Sequence, residues 1–479
     1  MILPIWRTVL PLALFAASGA ALDRVLGLDL GSGAGVGKWP RWAACGLVAC
    51  FAAALHPLVL AALVALAIVG RIASGPSART PRGLAATAAR EGLPWLGLAA
   101  AALTLIVICR PATLVYWDSF VWLAKARIES EGWGALRMAS LDRSADVVPS
   151  GYPLLWPLAA SWLSMSGRTM DALSAGAAAM TLITLLLFLD AVSDMFDGRD
   201  DVAGALAPRP RWAPAALGLL GITPLVFVHL RSAYADLPVG LLAGTCTLRL
   251  ARSFERAQGP SLGDVSVAAI AAAALAGLKD EGAAHVAAML AAVVIMRLAW
   301  RERVPLGPII AVFTATAIPT AGWRALLWTH RVVNGDHQLS APDVAAVGAI
   351  GRSVLRHITD TRSWGALWPI ALACVGLVVV RRGTFRAMTR FATLAFVGEA
   401  ALLAAALVFG PARVRVFAFE GTLINRLLLQ LAPGAGAMLV LALGDAATAW
   451  QAVRRPSSSP LAIPAPRAAP VPVLTRTSK

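Results

Sequence analysis

Four short stretches place ionisable groups beside long apolar runs, in a chain where charged residues make up only 14% of 479. They are Tyr116-Trp117-Asp118-Ser119, Arg231-Ser232-Ala233-Tyr234-Ala235-Asp236-Leu237-Pro238, Lys279-Asp280-Glu281-Gly282 and Asn425-Arg426. A charge at membrane depth is costly, so such residues are functional-site candidates by default. The chemistry open to them is displacement at a phosphorylated carbon. Asp118 can take the proton of an attacking hydroxyl, with Asp236 as a second acid. Lys279 can meet a phosphate as a point charge, and Arg426 through its planar fork. A divalent cation, Mg or Mn, held by Asp118 and Asp236 would serve the same end. Trp122 and Tyr152 offer aromatic faces beside these groups. The chain has no phosphate-cradling glycine loop, which argues against ATP and any nucleotide cofactor.

Each stretch also has a plainer reading. Asp118 can cap the helix after it, and Asp236 before Pro238 is also how an ordinary helix start looks. Lys279 to Gly282 is a good turn sequence, and Arg426 can simply reach for lipid headgroups. Asp118 stands apart because of the residues C-terminal to it. On a helix beginning there, Asp118, Trp122, Lys125 and Glu129 form one stripe, while Phe120, Leu123, Ala124 and Ile128 form an apolar flank. That pattern predicts an interfacial helix whose polar stripe faces a cleft or water.

The elements that must position these groups follow from composition. With 58% hydrophobic residues and a mean hydropathy of +0.72, the chain is an all-α polytopic membrane protein, each apolar run of roughly 20 residues being able to cross as a helix. Candidate spans lie near 8–22, 42–69, 93–109, 152–165, 171–190, 213–230, 236–252, 264–278, 283–298, 305–322, 366–380, 391–409 and 427–449, about 12 to 13 crossings. Arg71, Arg79, Arg82 and Arg90 mark 71–92 as cytoplasmic. The arginines at 249, 252 and 256, at 297, 301 and 303, and at 381, 382, 386 and 390 mark further cytoplasmic loops. Residues 110–151 and 323–365 are then outer loops, and all four stretches share the outer face. The formal net charge of +16 reads as orientation rather than as a nucleic-acid surface.

One conflict remains in this reading. Three apolar runs separate an outer Tyr152 from an outer Asp236, and three crossings cannot return a chain to its starting side. The run 152–165 is short and holds Pro153 and Pro157, so it is expected to re-enter or to lie along the interface. The chain divides into N-terminal transmembrane helices (1–92), a transmembrane catalytic region (93–450) and a disordered proline-rich cytoplasmic tail (451–479). The five cysteines have no ligand spacing and read as small core residues. His56, His229, His285, His330, His337 and His357 read as packing or loop residues, His330 and His337 being placed where they could line a cleft.

Together, Asp118 at the end of an early span, the interfacial helix, Tyr152-Pro153, Ala235-Asp236-Leu237-Pro238, Lys279-Asp280-Glu281-Gly282 and Arg426-Leu427-Leu428-Leu429 resemble the GT-C superfamily of membrane glycosyltransferases. The similarity is to its bacterial branch of protein-mannosyltransferase-like and aminoarabinose-transferase-like enzymes, and runs from about residue 93 to 450. It implies an enzyme of the bacterial inner membrane that moves a sugar from a polyprenyl-phosphate donor to a glycan, lipid or protein acceptor outside the cytoplasm. In that family the acid at the position of Asp118 is catalytic and the acid at that of Asp236 lies near it. Trp122, Lys125, Tyr152, Lys279, Glu281 and Arg426 are the expected substrate contacts. The family more often has Asn where Asp280 stands. The rival class is a secondary transporter or ion-coupled permease working through Asp236, Lys279 and Glu281, and it predicts a polar relay across the bilayer.

Overall fold

The computed structural model describes residues 2–30, 38–73, 117–142, 151–165, 167–195, 223–230, 232–255, 261–332, 340–341 and 344–454. Within them the chain forms eighteen α-helices and no strand, the architecture that apolar sequence dictates, since a helix satisfies its own backbone in lipid. The protein is an all-α polytopic membrane protein. The expected span 93–109, most of 213–230, Tyr116, His337 and the tail beyond Arg454 lie outside the described residues.

The chain opens with α1 (Ile2–Leu26), α2 (Trp39–Leu55) and α3 (Pro57–Ala73). The single run 42–69 is therefore two helices. They part at His56, which is extended (φ −167°, ψ 140°). Pro57 explains the break, because the ring of a proline drives the preceding residue out of the helical region. Next come α4 (Trp117–Ser130), α5 (Ala135–Leu141), α6 (Leu155–Leu163) and α7 (Met170–Asp194). After them stand α8 (Pro224–His229), α9 (Asp236–Arg252), α10 (Leu262–Leu278), α11 (Glu281–Leu298) and α12 (Leu306–Thr329). The chain continues with α13 (Val344–Ile358), α14 (Thr361–Trp364), α15 (Leu367–Val380), α16 (Ala387–Phe409), α17 (Ala412–Phe419) and α18 (Thr422–Arg454). Among the described residues, α7, α11, α12, α16, α18 and the stretch of α1 from Val9 are long and apolar enough to cross a membrane.

Two charged clusters give the bundle its ends. Asp236 opens α9 and Arg249 lies in its last turn, about 20 Å further along at 1.5 Å per residue. At the Asp236 end sit Lys279, Glu281 and Arg426. At the other, Arg41, Asp190, Asp194, Arg249 and Asp264 join α2, α7, α9 and α10. The second end also holds Asp445, which pairs with Arg386, itself paired with Glu255, and the Arg390–Glu302 pair.

This arrangement shows which of the three apolar runs does not cross. Helix α6 is nine residues long and buried throughout, too short to span, and it turns back into α7. Trp156 Nε1 on α6 donates to Ala233 O at 2.9 Å, so Tyr152 and Asp236 share an end, while α7 runs to Asp190 and Asp194 at the opposite one. Between Tyr152 and Asp236 the described residues thus contain one crossing helix, α7, and one helix too short to cross, α6; residues 196–222 lie outside the described residues.

Candidate functional site at the Asp236 end

Asp236 is the first residue of α9, with Ala235 as N-cap and no side-chain capping bond. Its carboxylate is engaged elsewhere. Oδ1 accepts from Lys279 Nζ at 2.8 Å and from Gln430 Nε2 at 2.6 Å, and Oδ2 accepts from Arg426 Nε at 3.2 Å. Asp236 is fully buried, so a cation partner is what makes its ionised form tolerable there. The crossing of α9 and α18 that brings Gln430 so near depends on Gly240. A Cβ at that position would stand 2.3 Å from Gln430 O, and small residues are how membrane helices reach such approaches.

Lys279 is supplied by the turn between α10 and α11. It closes α10 in an extended conformation (φ −154°, ψ 155°), and Asp280 already has helical backbone as the N-cap of α11. The turn reading of this stretch holds, and the same turn brings Lys279 to Asp236. Besides Asp236, Lys279 Nζ meets Glu281 Oε1 at 3.4 Å. Lys279 is sealed at 1% exposure, whereas Glu281 keeps 20% and Arg426 keeps 25%. Arg426, from the first turns of α18, also lies over the ring of Tyr234 at 5.7 Å. It is the cation that this cluster presents.

A second group forms around α4. Trp122 meets the edge of Tyr152 with centroids 6.0 Å apart, and Lys125 Nζ lies 5.4 Å from the Trp122 centroid. Among the described side chains the expected stripe does not face water. Trp122, Lys125 and Glu129 are all buried, and from Ser119 onward what α4 leaves exposed is Phe120 and Arg127. The reason is visible at Glu129, whose carboxylate accepts from Gly134 N (3.0 Å), Leu136 N (3.1 Å) and Trp162 Nε1 (3.3 Å). It caps α5 and so turns the stripe inward. Burial pushes the Lys125 ammonium down to about 7, since desolvation disfavours the charged form. Asp118 is the second residue of α4; its side chain lies outside the described residues.

The two groups are tied together by hydrogen bonds to two backbone carbonyls and one carboxylate. Trp323 Nε1 on α12 donates to Gly151 O at 3.0 Å, and the neighbouring Arg324 donates to Asp280 Oδ1 at 2.7 Å. With the Trp156 bond to Ala233, these fix Tyr152 beside the Asp236 cluster. Asp236, Lys279, Glu281 and Arg426 therefore meet directly, and Trp122, Lys125 and Tyr152 form an adjoining unit at the same end.

The donor set around Asp236 does not suit a divalent cation. Its oxygens are held by an ammonium, a guanidinium and an amide, whereas Mg or Mn is bound through carboxylates and other oxygens. Among the described residues no three His, Cys, Asp or Glu side chains gather as a metal site.

Sequence reasoning missed Gln430, Trp323, Arg324, His285 and Glu399. The last two carried a usable signal, being lone titratable residues within apolar runs of α11 and α16. His285 Nε2 lies 3.2 Å from Gln430 Oε1, and His285 Nδ1 lies 3.4 Å from Glu399 Oε2.

The fold and this site define an all-α polytopic membrane protein with a carboxylate–cation cluster at one end of its bundle. No protein-family model matches the chain, and neither a curated protein nor a solved structure matches it.

Proposed function

We propose that the protein is an integral membrane glycosyltransferase that takes a sugar from a polyprenyl-phosphate donor and passes it to an acceptor on the face bearing Asp236. The observation that supports this best is the convergence of Asp236, Lys279, Glu281 and Arg426, up to 190 residues apart in sequence, at one end of the bundle beside the Trp122–Tyr152 pair. These are the motifs whose order resembles the GT-C superfamily.

In this reading Arg426 meets the donor phosphate, because it keeps a quarter of its surface while Lys279 is sealed. Lys279 and Gln430 hold Asp236, and Asp236 in turn aims Arg426. As the bond between the anomeric carbon and the phosphate oxygen breaks, the leaving phosphate gains negative charge, which a preorganised guanidinium stabilises. Asp118 takes the proton of the acceptor hydroxyl as that oxygen bonds to the anomeric carbon. A single displacement inverts the anomeric centre. Trp122 and Tyr152 pack against the sugar or the isoprenoid. The side of the membrane is the extracytoplasmic one of a bacterial inner membrane. The transporter reading is less well supported, because Asp236, Lys279 and Glu281 pair with one another at a single end; the observation that favours it is the run of polar contacts from Asp236 through Gln430 and His285 to Glu399, midway along α16.

Mass spectrometry of lipid-linked sugars in cells lacking the protein tests the assignment. A polyprenyl-phosphate sugar should accumulate, and one envelope glycan should lose that sugar. An unchanged lipid-linked pool and an unchanged set of envelope glycans would overturn it.

A further inference from the structure

The polar contacts of Asp236 continue away from the membrane face. Gln430 joins Asp236 through Nε2 at 2.6 Å and His285 through Oε1 at 3.2 Å, and His285 Nδ1 stands 3.4 Å from Glu399 Oε2. His285 and Glu399 are both buried. His285 is one turn into α11, and Glu399 is midway along α16, a membrane-spanning helix. Room for the Glu399 carboxyl is left by Gly434, where a Cβ would lie 3.3 Å from Oε2.

Hydrogen-bond bookkeeping gives this chain a direction. Asp236, paired with two cations, only accepts, so the Gln430 group turned toward it is the amide NH2 and the group turned toward His285 is the carbonyl. His285 must then carry hydrogen on Nε2. Its other nitrogen is buried, makes no hydrogen bond and stands in ion-pair range of a carboxyl oxygen, where two lone pairs would oppose each other unless a proton sits on one of them. Imidazolium with carboxylate, and neutral imidazole with carboxylic acid, are the two forms in which one proton relieves that opposition. Among the described residues, Glu281 at the start of α11 and Cys246 on α9 are further ionisable groups acting on the pair.

We propose that His285 and Glu399 form a proton-holding pair inside the bilayer that fixes the orientation of Gln430 and thereby of Asp236, Glu399 being a positioning residue that acts at a distance from the Asp236 cluster. The proposal does not depend on which reaction the cluster performs. Its test is a double-variant cycle on thermal unfolding of the full chain in nanodiscs. Asp236→Asn and Glu399→Leu do not remove a shared contact, so without the network their shifts should add. The network predicts a departure from additivity of about 2 °C or more, which disappears when the cycle is repeated with Gln430→Leu. Additive shifts in the wild-type background, or a departure that persists with Gln430→Leu, would overturn it. Where a variant does not fold, ring nitrogen-15 NMR of His285 decides. The Nε2–H signal should be present in the wild type, kept in Glu399→Gln, whose amide can donate to Nδ1, and altered in Glu399→Leu. A wild-type ring protonated on Nδ1 alone, or the same signal in all three proteins, would also overturn it.

Discussion

The two ends of α9 are made from the same ingredients, carboxylates and cations, yet they are closed to different degrees. At the Arg249 end, Arg41 bonds Asp190 and Asp194 at 2.7 Å, and Arg249 bonds Asp190 and Asp194 at 2.5 Å and Asp264 at 2.9 Å. These five residues are all buried and lock four helices together, with Arg252, 15% exposed, at their margin against Asp194 and Asp264. At the Asp236 end one buried carboxylate serves two cations, and Arg426 and Glu281 stay partly exposed. A sealed network holds helices in register. A cluster with an open member can exchange a protein partner for a ligand.

The sharpest way to break this contrast is Arg249→Met. Removing one partner of a buried network strands the others, at a cost of about 3 to 5 kcal/mol. Thermal unfolding in nanodiscs should show a large loss of stability, and a wild-type midpoint would end the description of that end as a staple. Lys279→Met strands Asp236 in the same way and should cost about 3 kcal/mol. Adding Asp236→Asn should recover part of that loss, and a further drop in the double variant would contradict the pairing. Arg426→Ala sharpens the other half of the contrast. It should cost about 1 to 2 kcal/mol of stability and weaken donor binding by about tenfold, whereas Arg382→Ala, at an exposed loop position, should change neither. Equal effects at 426 and 382 would remove the phosphate role.

The smallest effect concerns Lys125. Its folded pKa, pushed down to about 7 by burial, lies below that of the unfolded chain, so the unfolded state binds more protons between the two values and stability rises with pH across that window. The burial cost is full below about 7 and fades toward about 10.4. Between pH 7 and 8 the gain should be about 1 kcal/mol. Lys125→Met should flatten that slope, and a wild-type slope in the variant would place its origin elsewhere.

Much of the Asp236 end was legible because charge is scarce in this sequence. Asp236, Lys279, Glu281 and Arg426 stood out against apolar neighbours, and loop arginines put them on one face. Gln430 was hidden inside Leu427-Leu428-Leu429-Gln430-Leu431, where an uncharged amide gives no signal of its partner. At the opposite end the same reasoning misread Arg249, which as a span-terminal arginine looks like a loop charge. Sequence does not separate an arginine that reaches for headgroups from one clasped by three aspartates. The inward turn of the α4 stripe was illegible for a related reason. Amphipathic spacing gives a polar face, but only the capping of α5 by Glu129 shows that this face is covered by protein. The break at His56 was readable from Pro57, and the shortness of α6 from Pro153 before it and Pro157 within it.

The central claim is that the Asp236 end performs sugar transfer with Asp118 as the base. It is tested most directly by turnover of a polyprenyl-phosphate sugar pool by the full chain in nanodiscs, wild type against Asp118→Asn. The wild type should turn the pool over and the variant should not, with both proteins unfolding at the same temperature. Equal turnover by the two, or no turnover by a folded wild type, would contradict it.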